Sequence, residues 1–219
     1  MFRTTIFDTG SALFNAAQRL FQATAQKDTK SPTAVLIPGG NTPRPLFQRI
    51  TKQPFSVSSH FHIGYTDERL VPVNNAANNY ALSIAMLQAL NVPAAQVFQV
   101  NTELSLETAA TEYHKIWQKF FEEGGIIPLA FLGLGNDGHT CSLFTKEQLR
   151  FCANDRFAVP VHRQEGPNRI TITPALLSHI KHVVILATGQ EKADTVDAMV
   201  HKPKKVVAGM ALAQCSRVS

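Results

Sequence analysis

Residues 33–45 read TAVLIPGGNTPRP. The first five are apolar or β-branched with no polar alternation, which fits a strand covered on both faces. Gly39 and Gly40 then let the backbone turn and approach a ligand closely. Thr42 is of a type that caps helices, and Pro43 suits a first helical turn. A covered strand, a glycine turn and a helix opening in thirteen residues form the unit from which α/β folds are assembled.

Working outward, the same unit recurs. Before it, residues 11–27 place Leu13, Ala17, Leu20, Phe21 and Ala25 on one face after Ser11 as a cap, predicting an amphipathic helix. After it, FHIGY (61–65), QVFQV (96–100), PLAFLGL (128–134) and HVVILAT (182–188) read as further covered strands. Helical patterning falls between them at 43–52, 76–90, 104–122 and 189–201, with Trp117, Phe120 and Phe121 predicted as core on one helix. The alternation predicts an α/β fold: a mostly parallel, Rossmann-like sheet with helices on both faces, formed by residues 1–219 as a single domain. RITIT (169–173) alternates instead, which predicts an antiparallel or edge strand.

Composition narrows the partners. Hydrophobic residues make up 44% and charged residues 17% of the 219 positions, a globular and lightly charged balance. Lys and Arg number 21 against 16 Asp and Glu, and apart from KPKK at 202–205 they are scattered. Scattered cations suit an anionic small molecule, whereas nucleic acid draws a basic stripe, so no nucleic-acid partner is expected. Cys141, Cys152 and Cys215 show no CxxC spacing and leave an odd thiol, pointing to a reducing compartment. No secretory leader pattern opens the chain and no apolar run reaches ~18 residues, so the expectation is a cytoplasmic protein without a membrane partner.

In open parallel sheets ligands gather outside the carboxyl ends of the strands, and three distinctive strings begin there. PGGNTPRP (38–45) offers exposed amides for phosphate at a helix start, although an ordinary strand-to-helix turn has the same composition. It is neither a Walker loop nor a GxGxxG fingerprint. YTDERLVP (65–72) sets Asp67, Glu68 and Arg69 at a strand end. There Arg69 can fork onto phosphate or a developing oxyanion while Asp67 orients a proton-transfer partner; a solvated loop ion pair is the competing reading. GLGNDGHTCSLF (133–144) places His139 at the expected start of a helix, with Asp137 beside it. An imidazole of reference pKa ~6.5 can take a proton from water at neutral pH, and a capping or structural histidine is the alternative. His60 and His62 lack a carboxylate or thiol in register, so no metal site is predicted.

Taken in order, PGGNTP, TDERLVP, GLGNDGHTCSLF, RITIT and GQEKA resemble the 6-phosphogluconolactonase family, within the fold group that includes glucosamine-6-phosphate deaminases. The resemblance spans about residues 10–200. It implies hydrolysis of 6-phospho-D-glucono-1,5-lactone to 6-phosphogluconate, the second step of the oxidative pentose phosphate pathway. It further implies that Gly39, Gly40, Asn41 and Thr42 lie against the sugar phosphate, with Arg69, Arg169 and Lys192 supplying positive charge. His139 would be the general base, Asp137 and Asp67 would arrange the polar network, and neither metal nor organic cofactor is required. The partner implied is a small sugar-phosphate lactone, and the assembly expected is a monomer or weak homo-oligomer.

Departures from the family pattern are Asn41 for serine, Pro38 before the glycines, Cys141 for alanine, Thr145 for proline, and divergence after about residue 200. Two rival functions diverge at identifiable positions. Glucosamine-6-phosphate deaminases carry GHIAFNEP, with a glutamate five residues after the histidine; here that position is Phe144, and Glu147 lies three residues further on. A non-catalytic sugar-phosphate sensor usually carries an N-terminal helix-turn-helix, whereas the residues before Thr33 read as one helix.

Overall fold

The computed structural model describes residues 2–151 and 155–219. Its strands are β1 (Thr33–Ile37), β2 (Phe61–Tyr65), β3 (Asp67–Arg69), β4 (Val97–Phe98), β5 (Ile126–Gly133), β6 (Ala158–Val161), β7 (Arg169–Ile172) and β8 (Val183–Leu186). Its helices are α1 (Gly10–Ala25), α2 (Arg44–Lys52), α3 (Asn79–Ala89), α4 (Leu106–Glu122), α5 (Lys146–Phe151), α6 (Pro174–Ser178), α7 (Ala193–His201) and α8 (Val207–Ala211). A five-stranded parallel sheet runs in the order β4-β2-β1-β5-β8, and a three-stranded antiparallel sheet in the order β3-β7-β6.

Successive side chains of a strand point to opposite faces, and β1 shows why it carries no polar residue. Val35 and Ile37 join Ile63, Phe131, Phe21 of α1, Phe47 of α2 and Met86 of α3 in one apolar cluster. Ala34 and Leu36 face the other way, into a cluster with Trp117 of α4, Leu177 of α6 and Ala208 of α8. Helices therefore cover both faces of the parallel sheet. Trp117 is fully buried and Phe120 nearly so, while Phe121 is half-buried against the same cluster. A Cβ on Gly64 would lie 2.4 Å from the Trp117 ring, so the indole takes the space a side chain on β2 would need. Among the described residues no helix is long and apolar enough to cross a membrane.

Several boundaries differ from the sequence reading. Thr9, not Ser11, caps α1: Thr9 is extended and its hydroxyl accepts from the Ala12 amide, whereas Ser11 already lies inside the helix. Thr42 does not cap α2. The chain enters that helix through Pro43 in a helical conformation, with no side-chain cap, and the Asn41 carbonyl takes the Arg44 amide. QVFQV shortens to Val97–Phe98, an edge strand entered from a single 3-10 turn at Ala94–Gln96. RITIT is antiparallel as predicted but occupies the centre of the small sheet, not its edge. DER is no solvated loop; it is β3, paired with β7 through Asp67 opposite Thr171 and Arg69 opposite Arg169.

The passage from β2 to β3 takes one residue, Thr66. Its amide donates to the Ile37 carbonyl of the parallel sheet at 3.1 Å, and its carbonyl accepts from the Ile172 amide of the antiparallel sheet at 3.0 Å. Just before it, the Tyr113 hydroxyl accepts from the Tyr65 amide (2.8 Å) and donates to the Tyr65 carbonyl (2.6 Å). A phenol from α4 thus takes the place of a neighbouring strand where the two sheets part, pairing both the amide and the carbonyl of Tyr65. Cys141 and Cys215 are free thiols, and Cys152 lies outside the described residues.

Candidate active site

The strings singled out after β1, β2 and β5 converge on one cleft of about 370 Å³. Its lining includes Gly39, Gly40, Asn41 and Thr42 after β1, Asp67 and Arg69 of β3, Arg169 of β7, and His139, with Phe144 and Arg163 beside the imidazole. The cleft opens where the parallel strands end and the antiparallel sheet begins, which is the position that the strand-end rule selects.

The loop carrying His139 is held by its own backbone. The Gly135 amide donates to the His139 carbonyl at 2.8 Å and the Gly138 amide to the Gly135 carbonyl at 3.0 Å. The Thr140 hydroxyl donates to the Gly133 carbonyl, and the Ala208 amide to Gly138 from outside the loop. Contrary to expectation, no helix starts at His139; α5 begins at Lys146. Gly138 (φ +83°) and Cys141 (φ +53°) both take left-handed conformations, which interrupt helical hydrogen bonding. His139 is therefore oriented by a side chain: Asp137 Oδ1 lies 2.5 Å from its Nδ1 and also accepts its backbone N–H at 3.2 Å. Burial raises the Asp137 carboxyl, but the bonds from the His139 ring and amide outweigh it and leave the group below its usual range. An ionised carboxylate only accepts, so the Nδ1 proton belongs to the imidazole, and in the neutral ring the lone pair is on Nε2. A Cβ on Gly135 would stand 2.1 Å from His139 Nδ1 and 2.4 Å from Asp137 Oδ1, so this glycine makes room for the pair.

Asp67 is not the partner of His139. Its Oδ2 accepts from the Ser142 hydroxyl at 2.6 Å, and its Oδ1 faces the Asn79 amide at 3.4 Å. It ties the histidine loop to β3. Asn79 joins parts of the cleft lining: Nδ2 donates to the Asp67 carbonyl, Oδ1 accepts from Arg69 Nη1 at 2.8 Å, and Gly39 packs so closely on it that a Cβ would overlap Oδ1. Glu68 anchors the unit from behind, accepting the amides of Arg69 (2.8 Å), Asn79 (2.7 Å) and Tyr80 (3.0 Å) at the start of α3.

Burial, aided by the Asp67 charge, moves the Glu68 carboxyl from 4.5 up to about 7 against those three N–H bonds. A raised carboxyl pKa means that the folded chain holds the proton more tightly than the unfolded chain, so this contribution is full below 4.5 and is lost as pH rises through about 7. The stability of the wild type relative to Glu68→Gln is therefore expected to fall by about 2–3 kcal/mol between about pH 4.5 and pH 7.5. Urea unfolding of both proteins at the two pH values measures it, and a pH-independent difference contradicts it.

Arg69, Arg163 and Arg169 supply the charge. Each carries a buried guanidinium nitrogen without a hydrogen-bond partner: Nε of Arg69, Nε of Arg163 and Nη1 of Arg169. Among the described residues none of the three lies within ion-pair distance of a carboxylate. Burial first, and then the charges of Arg69 and Arg163, pull the Arg169 guanidinium below its usual range despite the opposing effect of Asp67. Lys192 stands apart from the cleft wall: its Nζ donates to the Leu134 carbonyl at 2.6 Å, behind the turn that the residues 133–135 form. One of its three donors is used there and two remain.

Arg163, Asn79 and Ser142 are site residues that sequence reasoning missed. Ser142 was visible as a hydroxyl beside His139 but carried no sign of Asp67 as its partner. Asn79 opens a helix and looks like a cap in sequence, while the side chain that caps α3 is Asn78. Among the described residues no three His, Cys, Asp or Glu side chains group to hold a metal ion. His62 stacks on Phe98 at 5.0 Å and His60 is exposed on a turn.

A family model described as glucosamine-6-phosphate isomerases/6-phosphogluconolactonase matches residues 8–218. The 6-phosphogluconolactonase of Homo sapiens is 38% identical over 137 residues, which are 60% of this chain and 52% of that protein. The chain thus matches about half the length of this relative. The 6-phosphogluconolactonase of Synechocystis is 31% identical over 187 residues, 83% of this chain and 75% of the relative. The crystal structure of a 6-phosphogluconolactonase from Shewanella baltica superposes with a TM-score of 0.83 at 22% identity, covering 100% of this chain and 97% of that one, and shows the same fold.

Proposed function

The chain belongs to the glucosamine-6-phosphate isomerase/6-phosphogluconolactonase family, and from that premise we propose that it hydrolyses 6-phospho-D-glucono-1,5-lactone to 6-phospho-D-gluconate. This is the second step of the oxidative pentose phosphate pathway, carried out by residues 1–219 as one catalytic domain, in the cytoplasm, as a monomer or weak homo-oligomer. One observation carries the reading: an imidazole fixed by Asp137 shares a cleft with guanidinium groups that, among the described residues, have no carboxylate within ion-pair distance. A lactone bearing a phosphate presents both counterparts, a carbonyl for an activated water and an anion for the cations.

In this mechanism the Gly39–Thr42 amides and Arg169 hold the phosphate, with Lys192 adding charge from behind the turn. His139 Nε2 takes a proton from water, which attacks C1 of the lactone. Arg69 and loop amides hold the tetrahedral oxyanion, and collapse breaks the C1–ring oxygen bond. The imidazolium returns its proton to the departing ring oxygen, so the histidine is restored. Asp137 keeps the ring in the tautomer that this step needs.

The deaminase reading lacks its acid. Phe144 occupies the relevant position, its ring 4.6 Å from that of His139, and Glu147 is exposed on α5 and absent from the cleft wall. A sensor needs no activated water, which leaves the Asp137–His139 pair without a task. An assay with freshly generated lactone beside glucosamine 6-phosphate tests all three. Hydrolysis of the lactone above its spontaneous rate, without ammonia release from the amine, is expected. The reverse result moves the chain to the deaminase branch, and binding without turnover makes it a sensor.

A further inference from the structure

Arg163 has no role in the mechanism above, yet its surroundings are those of a ligand-binding group. It sits in the loop from β6 to β7, whose two ends are tied by its own amide donating to Asn168 Oδ1 at 3.0 Å. Its guanidinium carbon stands 4.0 Å from the centre of the Phe144 ring, and that ring is 4.6 Å from the ring of His139. Phe144 is itself fixed, because Gln148 Oε1 accepts its backbone N–H at 2.6 Å. A guanidinium laid on an aromatic face keeps its edge N–H groups free for hydrogen bonding. Arg163 Nε is nevertheless buried without a partner, as are Arg69 Nε and Arg169 Nη1 in the same cleft. Asp67 and Glu68 offset part of the charge on Arg169, and half-buried guanidinium groups gathered in one cleft with unpaired N–H groups favour an anion that pairs them.

We propose that Arg163 is a specificity-determining residue that grips the phosphate of the substrate together with Arg169, with the Phe144 ring as the shelf that fixes its reach. The assignment rests on the lactonase reading only for the identity of the molecule that carries the phosphate. The shelf also borders His139, so the grip holds the phosphate in the same cleft as the imidazole. Arg163 thereby selects phosphorylated lactones over unphosphorylated ones. Planarity matters: a lysine keeps the charge but neither stacks nor forks.

The test uses the full chain as wild type, Arg163→Met and Arg163→Lys, with two readouts. Thermal melts with added inorganic phosphate report anion binding without any reaction, and the melts without phosphate show that each variant folds. Kinetics with 6-phosphogluconolactone and with unphosphorylated glucono-1,5-lactone report selectivity. Removing a charge-assisted hydrogen bond made equally in ground and transition states raises KM and spares kcat. Arg163→Met is expected to raise KM for the phosphorylated lactone by about 10- to 100-fold, with kcat within about 3-fold. The selectivity ratio between the two lactones falls by a similar factor, the phosphate-induced rise in Tm shrinks, and Arg163→Lys recovers only part of each. If phosphate protects the wild type but not Arg163→Met while no lactone is hydrolysed, the grip stands and the lactonase reading falls. If the lactone is hydrolysed and Arg163→Met keeps the wild-type KM and phosphate response, or loses kcat at constant KM, the grip is overturned and the reading survives.

Discussion

Alanine at position 139 is expected to lower kcat by about 10²- to 10⁴-fold, the usual contribution of a positioned general base, with KM close to that of the wild type. The split follows from the geometry. The imidazole makes no hydrogen bond to Arg69, Arg169 or the residues 39–42 that line the same cleft, so removing it leaves those anion contacts in place. What disappears is the one lone pair that Asp137 turns toward solvent by occupying the opposite ring nitrogen. Steady-state kinetics with fresh lactone measures both parameters. A variant that retains kcat within a few-fold removes His139 from the chemical step and transfers the reaction to another group.

A methyl group at Gly135 is expected to cost nearly as much, about 10²-fold in kcat or more, although residue 135 has no side chain to offer the substrate. The added carbon would overlap both His139 Nδ1 and Asp137 Oδ1, so the pair has to separate or swing aside. The turn itself is anchored at Gly135 N and at Gly138, so the backbone cannot retreat without losing the bonds that shape the loop. Combining Gly135→Ala with His139→Ala separates displacement of the ring from general damage. Because both changes act on one group, the double variant is expected to be no slower than His139→Ala alone. Full additivity places the effect of Gly135 elsewhere, and thermal melting of Gly135→Ala shows whether the loop or the whole fold gives way.

The parallel sheet was legible because its strands are apolar on both faces, a pattern that survives without tertiary information. TAVLI and FHIGY match β1 and β2 residue for residue. β3 and β6 escaped for opposite reasons. DER is charged, and only the buried amides around Glu68 make a carboxylate tolerable there. AVPV is short and contains proline, and it pairs on one side alone, at the edge of its sheet. The cap of α1 was misplaced by two residues because Thr9 and Ser11 both precede its core face and the extended backbone at Thr9 selects it, while α2 opens at Pro43 with no side-chain cap. The site followed the same division. The glycine turns, Asp137 and His139 lie close in sequence and could be read together, whereas Arg163, Asn79 and Ser142 acquire their meaning from partners on other elements. A lone loop arginine has no periodicity that would mark it.

Thr66 bears on how substrate enters and leaves. One residue is stitched to both sheets, and the next, Asp67, reaches across to the loop that bears the imidazole. Sliding or spreading the two layers would break those bonds, so the two sheets are expected to move as one body. The glycine turn at 39–42 and Arg163 line the cleft outside that seam, and it is there that any adjustment to a ligand is expected, with the geometry behind them held by the bonds of Thr66 and Asp67.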